Sequence, residues 1–138
     1  MVLALSASAA VATAAPVDIL VVAGEPTAGR SIALTCRRRG WRADVVAATV
    51  GLPLALRRLR PRAVVVDLPD DDVAVTDILR QVAHYDARLP VLCLFAAADD
   101  RLDLGGPALR NLLLSRVRRA PMPLDPARLD AMLATAAA

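Results

Sequence analysis

Ala63-Val64-Val65-Val66-Asp67-Leu68 places four apolar residues in a row and closes them with a single carboxylate. A strand with one wet face alternates apolar and polar residues. A continuous run belongs to a strand buried on both faces, as in a parallel sheet covered by helices on each side. Val91-Leu92-Cys93-Leu94-Phe95 has the same character. Two further runs, Val17 to Ala23 and Ala43 to Ala47, read as strands upstream, and a fifth strand is expected between Leu112 and Met122.

Helical spacing fills the intervals. Thr27 to Arg39 forms a first helix that stops at Gly40, a residue suited to the C-terminal cap. Leu52, Ala55, Leu56 and Leu59 fall on one helical face, and Val75, Ile78, Leu79 and Val82 on another. A helix is expected to open near Pro107. The last carries Leu129, Met132, Leu133 and Ala136 on its apolar face, with Asp125 as N-cap and Pro126 at the first helical position. Strand–helix alternation of this kind builds a parallel sheet with helices on both faces. The working site of such a sheet lies at the C-terminal ends of its strands. That draws attention to Ala23 to Thr27, Asp67 to Asp72, Phe95 to Asp100 and Arg119 to Leu124.

Composition narrows the function classes. The 138 residues suit one domain, and 57% hydrophobic with 22% charged residues excludes both a disordered chain and a membrane bundle. With Trp41, Tyr85 and Phe95 the only aromatic residues, the core is built from Val, Leu, Ile and Ala. All 17 basic residues are arginine, and the net charge of +3 does not single out nucleic acid as a partner. Cys36 and Cys93 read as buried thiols in a reducing cytosol. Without a CxxC pair, and with His84 the lone histidine, a zinc site is not expected. Residues 1–16 are rich in Ala and Ser and read as a tail, with 17–135 as the domain. A secretion signal would begin with positive charge, which is missing.

Set in order, these segments resemble the receiver domain of bacterial response regulators. Ile19-Leu20-Val21-Val22-Ala23-Gly24-Glu25-Pro26 resembles its first strand and acidic loop. Arg60 to Leu68 resembles the third strand, which ends at the phosphoacceptor aspartate. Leu89-Pro90-Val91-Leu92-Cys93-Leu94 resembles the fourth strand, and Pro123-Leu124-Asp125-Pro126 with Leu129 the opening of the last helix. The resemblance implies an α/β fold: a doubly wound five-stranded parallel sheet, flavodoxin-like (CheY-like), in a three-layer sandwich. It makes Asp67 the phosphoacceptor position.

The chemistry around that position departs from the family pattern. The two acidic residues that hold magnesium are replaced by Ala23 and Gly24, and a hard cation needs oxygen ligands. Glu25 follows them, so Glu25 and Asp67 are the remaining candidate metal ligands. Phe95 stands at the Thr position and Met122 at the Lys position, in a chain without lysine. A phosphoryl group on Asp67 would bring about two negative charges with nothing to compensate them.

The expectation is therefore a degenerate, stand-alone, cytoplasmic receiver-like module of the two-component (phosphorelay) type. It is not an enzyme, has no resident cofactor, and acts by contact with a histidine kinase, phosphotransfer or output protein, with a homodimer compatible. The resemblance implies docking through the face of the fourth helix, fifth strand and last helix. One alternative is a working phosphoacceptor, with magnesium held at Asp67 and Glu25. A second is a nucleotide-binding protein, because Gly24 to Ser31 fits the phosphate-loop pattern with Arg30 in place of lysine. Arg37-Arg38-Arg39 and Asp70-Asp71-Asp72 read as solvated helix ends whose charges suit the helix dipole. His84 and Tyr85 read as surface residues.

Overall fold

The computed structural model describes residues 16–47, 51–68, 72–95 and 117–137. Five strands run β1 (Ile19–Ala23), β2 (Ala43–Ala47), β3 (Ala63–Asp67), β4 (Val91–Phe95) and β5 (Val117–Pro121). Four helices are described among them: α1 (Pro26–Arg38), α2 (Leu52–Leu59), α3 (Asp72–Tyr85) and α4 (Pro126–Ala137). The tail 1–15, the helix expected near Pro107, and Asp70, Asp71, Asp99 and Asp100 lie outside the described residues.

All strands pair in parallel in the order β2-β1-β3-β4-β5. This is the doubly wound, flavodoxin-like order, in which the chain reverses its direction of travel across the sheet between β1 and β3. Every residue of β1 and β3 is buried, as the uninterrupted apolar runs require. β2 at the edge has Ala43 buried, Val45 and Val46 half-buried, and Asp44 and Ala47 exposed.

Two apolar clusters cover the two faces. Ile19, Val21, Ala63 and Val65 meet Ile32, Ala33 and Cys36 of α1 and Leu129, Met132 and Leu133 of α4. Leu20, Val22, Val64 and Val66 meet Leu52 and Leu56 of α2 and Val75, Ile78, Leu79 and Val82 of α3. The helical faces read from spacing are the faces that pack, since one stripe of each helix must leave water. Both cysteines are buried and free, and burial pushes the Cys36 thiol up to about 11, so it stays an unreactive apolar filler.

The helix ends follow local chemistry. Gly40, at φ 89°, closes α1: its N–H donates to the Arg37 carbonyl at 2.9 Å and the Trp41 N–H to the Cys36 carbonyl at 3.1 Å. This is the paired bonding of a Schellman cap. At α4 the Asp125 Oδ1 accepts the Ala127 N–H at 2.9 Å, with Pro126 first in the helix.

The N-terminal edge of the sheet is tied by a polar cluster that periodicity does not reveal. Asp130 of α4 pairs with Arg39 and accepts the Trp41 Nε1–H at 3.0 Å, and these bonds hold its carboxyl below the usual range. The Arg62 guanidinium lies 5.8 Å from the Trp41 ring centroid and donates to Asp18 Oδ1 at 3.3 Å. Asp18 Oδ2 accepts the Arg42 N–H at 2.8 Å. One connected set of side chains thus joins α4 to the starts of β1, β2 and β3.

Gly29 is buried inside α1. A Cβ there would lie 2.7 Å from Val45 Cγ1 and 3.0 Å from Ala23 Cβ, both on stiff or immobile groups. Gly29→Val is expected to lose about 1–3 kcal/mol from overpacking, outweighing the few tenths gained in helix propensity. Urea unfolding checks this: the midpoint should fall with the m-value unchanged.

Candidate functional site

Asp67 ends β3 at the topological switch point, where the C-terminal ends of β1 and β3 leave a crevice. It pairs in register with Ala23 of β1 and Leu94 of β4. One residue further along, Phe95 of β4 pairs with Pro121 of β5, and Met122 follows directly across a cis bond to Pro123. The sheet therefore brings the positions of Ala23, Asp67, Phe95 and Met122 to one edge.

Among the described residues Asp67 is the only buried charged side chain, 5% exposed. Its Oδ1 is out of water and accepts no hydrogen bond. Desolvation is the cause of a pKa raised above the ordinary carboxylate value, because the neutral acid is easier to bury than the anion. Its partners in the sheet are apolar. Ala23 and Leu94 flank it in the sheet, and Met122 is half-buried against the cluster under α1 and α4.

Gly24 lies beside it, its N–H 3.4 Å from the Asp67 carbonyl oxygen. A Cβ on Gly24 would fall 2.8 Å from Leu68 Cδ2. The Leu68 side chain thus occupies the space into which any side chain at position 24 would project. Glu25 is exposed at the N-cap of α1, where it makes no side-chain cap bond.

Among the described residues the strand ends offer a sparse donor set for a magnesium ion. Mg²⁺ demands near-octahedral oxygen coordination and takes one or two carboxylates in such sites. Asp67 supplies one carboxylate, Ala23 and Gly24 supply no side-chain oxygen, and Glu25 stands exposed at the N-cap of α1. No cluster of three His, Cys, Asp or Glu side chains occurs among the described residues.

The phosphate-loop reading of Gly24 to Ser31 is corrected by the backbone. α1 starts at Pro26, leaving only Gly24 and Glu25 between strand and helix. Gly29 is a packing glycine within that helix, against Val45 and Ala23. A phosphate loop needs a run of free backbone N–H groups wrapped around the anion, and here the Gly29 N–H already donates to the Glu25 carbonyl at 3.0 Å.

Comparison with solved structures places the arrangement. A response regulator receiver domain from Clostridium thermocellum superposes with a TM-score of 0.64 at 21% identity, over 87% of this chain and 93% of that one. The chain has the receiver fold. The receiver domain of a sensor histidine kinase from Pseudomonas aeruginosa, solved with magnesium in its active-site cleft, superposes at 0.58 with 24% identity, over 87% and 96% of the two chains. By sequence, 89 residues are 34% identical to the probable transcriptional regulatory protein TcrX of Mycobacterium tuberculosis. The match takes in 63% of this chain and spans only 38% of that relative's length. No family model matches.

The positions singled out from sequence, Ala23, Gly24, Asp67, Phe95 and Met122, stand at or just after the C-terminal ends of β1, β3, β4 and β5. Spacing alone did not reveal Leu68: its contact with Gly24 arises only once β1 and β3 are set in register. The pairing of a glycine at one strand end with a leucine at the neighbouring strand end is the signal that could have found it.

A carboxyl with a raised native pKa binds its proton more tightly folded than unfolded. Ionising Asp67 therefore costs stability: the cost is absent below the unfolded pKa of about 3.9 and grows as pH rises through the native value. Asp67→Asn is expected to be more stable than wild type by about 1 kcal/mol at pH 7 and equal to it near pH 3. Urea midpoints at the two pH values check the sign.

Proposed function

We propose that this chain is a receiver-like signalling module of two-component type that works by protein–protein contact, without phosphoryl transfer to Asp67 and without catalysis of its own. The observation that carries this reading is the buried Asp67 carboxylate, unpartnered at Oδ1 and bordered by Ala23, Gly24 and Leu68. Phosphorylation would place about two negative charges there. A cation stabilises both that product and the transition state leading to it, and Ala23 and Gly24 bring no side-chain oxygen to hold one. The cleft of the Pseudomonas aeruginosa receiver domain holds such an ion.

The partner in this reading is a histidine kinase, a phosphotransfer protein or an output protein, met in the cytoplasm. Among the described residues no helix is long and apolar enough to cross a membrane. The docking face assigned from the resemblance contains β5 and α4. Arg118 is exposed on β5, and the cationic strand end suits a partner with acidic residues.

Incubation with acetyl phosphate and Mg²⁺, followed by intact-mass spectrometry, tests the reading. No phosphoryl adduct should form, and the urea midpoint should not respond to Mg²⁺ or to beryllium fluoride. Stoichiometric aspartyl phosphate at Asp67 would instead establish a working phosphoacceptor, with Glu25 as the candidate second ligand.

A further inference from the structure

α2 and α3 leave between them an open groove of about 580 Å³ on the sheet face opposite α1 and α4. Its walls are Pro53 and Arg57 from α2 and Arg80, Gln81, His84 and Tyr85 from α3. The only histidine and the only tyrosine of the chain therefore share one depression with two arginines. Arg57 and Arg80 are exposed, and neither takes part in an ion pair among the described residues. Among the described residues no carboxylate lines the groove. On α3 the Asp77 carboxylate already accepts the Gln81 Nε2–H at 2.8 Å.

We infer that this groove docks an acidic segment of a partner protein that carries an aromatic or aliphatic anchor. The ring of Tyr85 and the Pro53 side chain supply the apolar contact, while the two guanidinium forks take carboxylates on either side. Charge complementarity selects the occupant. Two unpaired arginines and an imidazole face a lining without acids, and guanidinium binds carboxylate in a two-bond geometry that an ammonium cannot match. Shape selects a macromolecule. A small ligand is held where most of its surface is buried, and a depression open along one side does not do that. A protein segment brings its own cover. Arginine and tyrosine are also the residue types that most often dominate the energy of such interfaces. This surface is separate from Asp67, so it stands or falls independently of the phosphorylation reading.

The test is a fluorescence-anisotropy titration of the full chain with fluorescein-labelled Glu-Glu-Leu-Phe-Glu-Glu, against Gln-Gln-Leu-Phe-Gln-Gln and a labelled DNA duplex. Saturable binding of the acidic peptide is expected, weakened roughly tenfold or more for the amide peptide and for the Arg57→Glu/Arg80→Glu chain. Tyr85→Ala should weaken it without changing its salt dependence. All three side chains are at least partly exposed, so circular dichroism and the urea midpoint should stay near wild type. Absence of saturable binding overturns the inference. So does equal binding by the double-arginine variant, or duplex DNA binding that the same substitutions abolish while the peptide does not bind.

Discussion

The in-register pairing of β1 with β3 is the constraint on which the rest of the molecule depends. Each of these strands is buried along its whole length, and each contributes alternate residues to the two apolar clusters. A slip of one residue would exchange the two faces and break both clusters together. The register therefore cannot drift. It sets Ala23 against Asp67 and puts Gly24 next to Leu68. The character of the crevice follows from packing decided far below it in the sheet.

Much of this was legible in the sequence for a definite reason. Strands buried on both faces leave unbroken apolar runs, and helices packed by one face leave a spacing near 3.6 residues, so Ala63 to Val66 and Val75-Ile78-Leu79-Val82 announce themselves locally. Caps are local too: Gly40 and Asp125 act within a few residues of their own positions. The polar cluster of Asp18, Trp41, Arg62 and Asp130 was not legible, because its members meet only after four elements have been assembled. The same holds for Leu68 and for the α2–α3 groove. Gly24 to Ser31 misled for the converse reason. Two glycines at phosphate-loop spacing are a local pattern, but Gly29 is required by a non-local one, the close approach of α1 to Val45 and Ala23.

The site residues divide in the same way. Ala23, Gly24, Asp67, Phe95 and Met122 could be named from sequence because the resemblance to the receiver pattern marks those positions, and positions in a pattern can be counted. What the crevice is like inside could not be counted. That Asp67 has an Oδ1 with no partner, and that a leucine methyl takes the space beside Gly24, are facts of three-dimensional closeness. They add a physical fact to a list of missing ligands: the carboxylate at the end of β3 is buried and lacks a partner at Oδ1.

Scaffold and chemistry are energetically separable here. Both apolar clusters are complete without Asp67, and the polar cluster at the N-terminal edge ties α4 to the sheet from the opposite end. Buried apolar area supplies the stability, at roughly 25 cal/mol for each Å² withdrawn from water. The lone carboxylate opposes it, since a buried polar group without a partner bears its full desolvation cost. Packing therefore gives no reason for an aspartate at position 67. The fold tolerates it because the crevice sits at the rim of the sheet, where one costly group is a small fraction of what two continuous clusters contribute.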